Sequence, residues 1–266
     1  LTPSILSSSS NGGSINLPYY KVISENKDYT FSPRIFFNND ILIQNEYRQV
    51  EKNTNHISDF SLKKLDYTTK SHFFSNTKHS FETNFDFSEI EINIEKTSND
   101  TFLKGNNIQS KTRDGDNQSL LNSYVEYRAN REDLDIFIEV SAYEDLTKEK
   151  DSDKFQYVLP NFTISKLLNN SNFGGNFNYQ VSGSSQKKET NVNESYLIND
   201  LNYVSDSFFS DYGAISNYEI LFRNSTKKGV NSKTYNNETK SDNLKVGLTW
   251  SGNIYGVNQP YRSVEN

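Results

Sequence analysis

The chain of 266 residues contains no cysteine and no methionine, and it has only five prolines and one tryptophan. Without cysteine it has no disulfide framework and offers no thiolate to a metal. Without methionine it has no initiator, so we expect it to be a cut or processed piece, and no signal peptide is visible. No window approaches the roughly 18 consecutive apolar residues of a transmembrane helix. If the chain crosses a membrane, it does so with strands.

Charge and composition narrow the class of protein that the chain can belong to. The net charge is -6 and no long Lys/Arg tract is present, so nucleic acid is not an expected partner. Hydrophobic residues make up only 33% of the chain, yet it holds 17 Tyr and 18 Phe. That many aromatic side chains do not suit a solvated coil, so they must be covered by something.

Alternation of apolar and polar residues predicts antiparallel β structure along most of the chain. Residues 1–12, which are rich in serine, are predicted to be a flexible lead-in, and residues 13–266 one β domain of about 13 strands. The clearest alternation places Ile136, Ile138 and Val140 on one face and Asp135 and Glu139 on the other. Short connections alternate with long polar ones, and this asymmetry is typical of an outer-membrane barrel; the long ones are 51–58, 97–118, 145–154, 186–194 and 224–242.

The first hairpin, residues 13–37, carries a proline in each strand, Pro18 and Pro33. Proline cannot donate to a strand ladder and is normally confined to edges, strand starts and bulges. Two prolines here predict an edge that pairs poorly. The alternative is a pair of ordinary edge or turn prolines.

Three short motifs resemble those of one family. Residues 17–20 read LPYY and are followed by a turn and a strand containing Pro33 and Arg34; residues 95–104 read EKTSNDTFLK and residues 156–165 read QYVLPNFTIS. In this order they resemble the barrel of the LptD family, the lipopolysaccharide-assembly proteins of Gram-negative outer membranes. The resemblance extends over nearly the whole chain, although between the motifs it rests on strand rhythm alone.

The resemblance implies a fold, a location and a function. The fold is an antiparallel transmembrane β-barrel of meander topology, of which this chain is the first half, about 13 of about 26 strands. The location is the cell outer membrane, and the function is transport and assembly of lipopolysaccharide, which leaves through a lateral gate weakened by Pro18 and Pro33. The implied partners are lipopolysaccharide, an LptE-like plug lipoprotein, and an LptA-like periplasmic bridge reached through an upstream domain that this segment lacks.

In such a barrel the apolar faces meet lipid and the polar faces line the lumen. Ile136, Ile138 and Val140 are therefore predicted to face lipid, and Asp135 and Glu139 to face inward. Aromatic residues near strand ends are candidates for an interfacial girdle, with core aromatics of a soluble sheet as the alternative; they are Tyr19, Tyr20, Tyr127, Tyr143 and Trp250.

No enzymatic site is predicted. Asp114 and Asp116 lack the further oxygen ligands of a calcium loop, so a solvated turn is favoured. His72 and His79 lack a third zinc ligand at any recognisable spacing, and we place them in a polar loop or the lumen. No nucleophile elbow is present, so we assign no catalytic residue, no cofactor and no metal.

Two other functional classes stay open. A porin or nutrient transporter would use the polar faces to line a pore, and it predicts no proline pair in the first hairpin. A secreted β-rich adhesin predicts internal repeats of fixed period, and we find none.

Overall fold

The computed structural model describes residues 2–8, 12–65, 68–108, 119–169, 174–188, 191–209, 215–235 and 237–249. Within these ranges the fold is all-β, as predicted, with two short helices. The elements are β1 (Ser4–Ser8), β2 (Gly12–Asn16), β3 (Tyr19–Ser24), β4 (Lys27–Phe36), β5 (Ile41–Val50), β6 (Thr54–Lys64), β7 (Thr69–Ser80), β8 (Phe87–Thr97), α1 (Phe102–Asn106), β9 (Leu120–Arg131), β10 (Leu134–Asp145), α2 (Asp151–Lys154), β11 (Phe155–Asn169), β12 (Gly175–Lys188), β13 (Val192–Ser205), β14 (Phe208–Phe209), β15 (Ile215–Val230) and β16 (Asn237–Thr249).

All sixteen strands belong to one antiparallel meander, which confirms the predicted topology. From β4 to β12 each strand pairs with the strand before and after it, β13 pairs with β12 and β15, and β14 and β16 both pair with β15. The described strands leave the sheet open: β1 and β3 lie at one edge, and β16 lies at the other. The count exceeds the predicted 13 partly because the first strand is broken into β2 and β3 and because β1 and β14 are short additions.

Residues Ser4–Ser8 form a strand, although the sequence analysis predicted that residues 1–12 would be a flexible lead-in. This segment forms β1, which pairs with β2 from Ser4 opposite Asn16 to Ser8 opposite Gly12. Backbone hydrogen bonds supply this pairing whatever the side chains, which explains why a serine-rich stretch gave no strand signal.

The connections differ from the predicted alternation. β6 begins at Thr54, β12 continues to Lys188 and β15 to Val230, so three of the predicted long loops are mostly strand. Their side chains are polar, and a polar strand end cannot be told from a loop by hydrophobic alternation. Two long connections remain, β8–β9 and β10–β11, and both leave the same end of the sheet. We call this the loop end, and the opposite end, which carries the tight turn at Glu132 and Asp133, the turn end.

Asparagine accounts for the tight geometry of several connections. The described non-glycine residues with positive φ are Asn39, Asn107, Asn231 and Asn237. Asparagine tolerates this left-handed region better than most residues. Asn107 ends α1 in this conformation, and its backbone N–H bonds to the carbonyls of Leu103 and Lys104.

A small hydrophobic core lies at the loop end. Phe102 and Leu103 of α1 are buried and pack with Phe36 of β4 and Leu42 of β5. The same cluster also includes Ile108, Leu121 and Leu146. The α1 segment therefore joins the first hairpin to β9, although four strands lie between them.

Candidate functional site

The two faces of the sheet bury and expose side chains in the opposite way to a soluble protein. Among the described residues, twenty polar or charged residues are buried and only eleven hydrophobic ones are, while thirty-five large hydrophobic side chains are exposed. Soluble proteins bury apolar side chains and rarely expose contiguous apolar surface. Here the covered face is polar and the exposed face is apolar.

β10 illustrates the two faces. Ile138 is 37% exposed and Val140 is 40% exposed, with Ile136 half-buried on the same face. On the other face Glu139 is half-buried and Ser141 is buried, whereas Asp135, near the turn end, is exposed. The alternation predicted from the sequence is present, and its assignment to lipid and lumen stays a prediction.

The apolar face continues from strand to strand. Ile138 lies opposite Tyr127 on β9 and Phe162 on β11, and Val140 lies opposite Val125, which lies opposite Ile92. Further along, Leu201 of β13 lies opposite Phe222 of β15, which lies opposite Leu244 of β16. The rows form an unbroken apolar surface over β8 to β11, and apolar rows recur as far as β16.

The polar face holds paired charges. Glu91, Glu126 and Glu139 stand directly opposite one another across β8, β9 and β10. Like charges in such positions repel, and nearby cations offset this: Lys78 Nζ lies 3.2 Å from Glu91, and Arg128 Nε lies 2.5 Å from Glu126.

Neutral partners complete this charged cluster. Glu91 Oε1 accepts hydrogen bonds from the Tyr124 hydroxyl at 2.6 Å and from Asn76 Nδ2 at 2.8 Å. Satisfied polar groups of this kind hold a polar face in one geometry, because a buried charge without partners is costly.

The two histidines are on opposite faces and share no ligand site. His72 is 2% exposed on the polar face, with Nε2 2.9 Å from Glu95 Oε1. His79 of the same strand lies across from Thr54, 2.8 Å from its hydroxyl, and meets the Phe81 ring edge-on. Within the described residues no three His, Asp or Glu side chains are grouped to hold a metal.

A cavity of about 510 Å³ opens on the polar face beside the first hairpin. Its walls are hydroxyl, amide and charged groups, including Tyr20, Thr30, Gln44, Arg48 and Asp59. A second cavity of about 450 Å³ includes Glu139 and Tyr143 in its wall. These side chains suit water or a hydroxylated ligand better than an apolar one.

The two prolines meet across one ladder. Register on either side of Pro18 is the same, with Asn16 opposite Arg34 and Tyr19 opposite Phe31, so β2 and β3 are one strand interrupted at Leu17 and Pro18. The Leu17 backbone N–H donates to the Pro33 carbonyl at 3.0 Å. Pro33 has no N–H with which to return the bond.

Pro18 removes a backbone N–H from the side of the strand that faces away from β4. Backbone N–H groups of successive strand residues point to opposite neighbours, so position 18 points away from β4, toward the sheet edge. β1 covers that edge only as far as Asn16, and all six residues of β3 are exposed. Both prolines thus remove donors at the open edge of the sheet.

Arg34, next to Pro33, entered the sequence analysis only as part of a motif and was assigned no role. It is 6% exposed, and its Nε donates to Ser14 Oγ at 2.9 Å while its Nη1 donates to the Asn106 carbonyl at 2.9 Å. It therefore ties β4 to β2 and to α1. Sequence shows only an arginine in a strand, because its partner at α1 is 72 residues away.

The aromatic candidates divide between the faces. Tyr19 is 63% exposed, whereas Tyr20 and Tyr143 line the cavities of the polar face. Tyr127 lies on the apolar face, 3.1 Å from the Ser88 hydroxyl. Trp250, Asp114 and Asp116 lie outside the described residues.

An aromatic group that the sequence did not single out lies at the turn end. The rings of Phe177 and Tyr203 are 4.6 Å apart, and those of Phe208 and Tyr218 are 5.5 Å apart. Tyr203 and Tyr218 link the two pairs at 6.0 Å. The four residues belong to neighbouring strands near one end, which is the arrangement of an interfacial girdle.

Comparisons with known proteins give a fold likeness and no family. No protein family matches the chain, and no curated protein matches it. One solved structure, described as a bacterial polysaccharide outer membrane secretin, is similar over 92% of this chain and 81% of its own, with a TM-score of 0.34 and 9% identity. None of the helices in the described ranges is long and apolar enough to cross a membrane.

Proposed function

We propose that this chain is part of an outer-membrane β-barrel that transports lipopolysaccharide and releases it through a seam at the first hairpin. The observation that carries the membrane part is the reversal of the faces, with buried Glu91, Glu95 and Glu126 on one and exposed Ile92, Ile94 and Val125 on the other. A strand sheet with a lipid-facing apolar side and a wet polar side has this pattern. A secreted adhesin would expose the same apolar surface to water.

The resemblance to the LptD family and the position of Pro18 and Pro33 support the lipopolysaccharide part. A lateral exit needs a strand pair that opens repeatedly, and a ladder without donors at its edge opens at lower cost. The polar cavity beside that edge offers room for hydroxylated groups. A plug protein and a periplasmic bridge remain further proposals from the same resemblance.

The test is delivery of lipopolysaccharide to the cell surface by the full-length protein carrying Pro18→Ala and Pro33→Ala. Restored ladder bonds should slow delivery while the protein stays at its normal level. Pro3→Ala is the matched control, because Pro3 lies before β1 and outside any strand. Normal delivery by the double variant, with the protein at its normal level, would remove the gate assignment to Pro18 and Pro33 and leave only the barrel.

A further inference from the structure

The apolar face has a groove near the loop end that no feature of the proposed transport requires. It spans β11 to β16 and has a volume of about 490 Å³. Two cross-strand rows build it. One row runs Phe162, Gly183, Leu197, Thr226, Lys240, and the next, closer to the loop end, runs Ser185, Ser195, Lys228, Glu238.

The floor of the groove is apolar because of one glycine. A Cβ at Gly183 would lie 2.7 Å from Cε1 of Phe162, so the Phe162 ring covers the position that a side chain would take. Leu197, on the next strand, is 41% exposed beside it. Pro160 borders the same floor. The result is an apolar surface of the kind that an acyl chain covers.

The rim is cationic. Lys240 and Lys228 both line the groove, with Glu238 between them. Glu238 stands opposite Lys228 and lies 3.1 Å from Lys240. Lys228 is exposed and forms no ion pair with any described residue, so the rim keeps one excess positive charge.

The next acidic residue along this face of β16 lies one cross-strand row farther from the loop end. Asp242, two residues beyond Lys240, accepts a hydrogen bond from Asn224 Nδ2 at 2.6 Å. Asn224 in turn accepts one from Asn199 Nδ2 at 3.4 Å. This chain of amides lies between the groove and the apolar rows beyond it.

The height of the rim fits a membrane interface. Along β15, Lys228 and the girdle residue Tyr218 are about 33 Å apart at about 3.3 Å per residue. A strand tilted by about 40° then separates them by about 25 Å along the bilayer normal, the height of the apolar band of a transmembrane barrel. Lys228 would then lie among headgroups, and Lys240, one row farther from the loop end, would extend its long side chain toward the same level, while Phe162 and Leu197 lie among acyl chains.

From this arrangement we infer that the groove binds a phospholipid with an anionic headgroup. Lys228 and Lys240 hold the phosphate and its negative substituent, and the row from Phe162 to Leu197 holds the first part of an acyl chain. The occupant is chosen by charge complementarity, because a zwitterionic headgroup brings its own cation to a rim that already has an excess of positive charge. The inference rests on the membrane location proposed above but not on lipopolysaccharide as the cargo.

Native mass spectrometry of the full-length protein, titrated with phosphatidylglycerol or phosphatidylcholine, tests it. The wild-type protein should prefer phosphatidylglycerol, and Lys228→Gln with Lys240→Gln should lower its affinity for that lipid by roughly tenfold. Lys227→Gln is the control: Lys227 neighbours Lys228 but lies on the other face, 5.7 Å from the ring of Tyr235. Leu197→Asn should weaken both lipids equally, because it changes only the floor.

Three outcomes would overturn the inference: equal affinity of the wild-type protein for the two lipids, unchanged binding in the double lysine variant, or the same loss in Lys227→Gln. Displacement of phosphatidylglycerol by inorganic phosphate at equal concentration would also overturn it, since the acyl chain would then contribute nothing. Failure of the wild-type protein to enter bilayers would instead refute the membrane location, and this inference with it.

Discussion

Leu17 donates its backbone N–H to the Pro33 carbonyl at 3.0 Å, and Pro33 cannot return the bond. Every hydrogen-bonded pair of an antiparallel ladder normally exchanges two bonds. The first hairpin therefore has a half-bonded pair next to the break at Pro18.

We expect Pro33→Ala to stabilise the protein in a bilayer. In water the restored bond contributes about 0.5 to 1.5 kcal/mol, and the greater freedom of the unfolded chain costs about 0.4 to 1 kcal/mol. In lipid an unpaired carbonyl costs more, so the bond prevails. Urea unfolding of the full-length protein in liposomes, with the wild type and Pro33→Ala compared, checks this.

The single substitution Pro18→Ala distinguishes the effect of Pro18 on stability from that of Pro33. Its restored N–H points to the open edge, so it should stabilise the protein only if a closing strand pairs there. Stabilisation equal to that of Pro33→Ala would mean that a strand does occupy the edge in the full-length protein, and no change would mean that the edge is open.

Single cysteines should report the orientation of β10, and the chain has no native cysteine to interfere. In membranes, Glu139→Cys should react with a water-soluble maleimide and Ile138→Cys should not, because lipid covers the apolar face. Ile138 is 37% exposed in the protein alone, so packing by itself does not protect it. Equal labelling at both positions would show that the face assignment is wrong.

Removing the side chains of α1 should lower the free energy of unfolding strongly. Phe102 is 1% exposed and Leu103 is fully buried, so each alanine substitution should cost about 2 to 5 kcal/mol. Lys104→Ala is the matched control, because Lys104 is exposed on the same helix. Denaturant unfolding measures the difference, and equal effects at 103 and 104 would contradict the packing.

Arg34 and Arg48 should respond differently to substitution by methionine. Arg34→Met leaves the Asn106 carbonyl and Ser14 without their buried donor, at about 1.5 to 3 kcal/mol for each charged hydrogen bond. Arg48, whose side chain is 47% exposed, pairs with Asp28 at 2.8 Å, and its loss should cost at most about 1 kcal/mol. The free energies of unfolding of the two variants check the contrast.

At alkaline pH the α2 segment should loosen. The hydrogen bond from Lys154 to Asp100 raises the pKa of the Lys154 ammonium, and Glu144 at 3.4 Å acts in the same direction. The folded pKa lies above the unfolded one, so this contribution to stability is complete below the unfolded pKa and disappears as pH rises through the folded one. Wild-type stability should fall more steeply above about pH 10 than that of Lys154→Gln.

The sequence predicts those parts of the fold that depend on neighbouring residues. Alternation placed Ile138 and Glu139 on opposite faces, and proline chemistry marked positions 18 and 33. It missed α1, because Phe102 and Leu103 form barely more than one helical turn and have no helical period to detect. It also missed Arg34 and the Glu91, Glu126 row, because their partners are set by strand register, which a single sequence does not reveal.

Polar strand ends were missed for a related reason. Thr54 to Ser58 and Ser225 to Val230 have few apolar residues, so they resemble loops, yet backbone pairing extends β6 and β15 through them. In β1, backbone pairing with β2 likewise forms a strand from a serine-rich segment. The pattern of apolar and polar side chains indicates which face of a strand is buried. The hydrogen bonds between strands are formed by backbone groups alone.

The cluster beneath α1 joins Phe36 of β4 to Leu121 of β9, so it braces two distant strands of the open sheet against each other. A sheet braced in this way keeps its bend without a closing strand. If the sheet closes into a barrel, the curvature from β4 to β9 is therefore set before any strand pairs with its open edges.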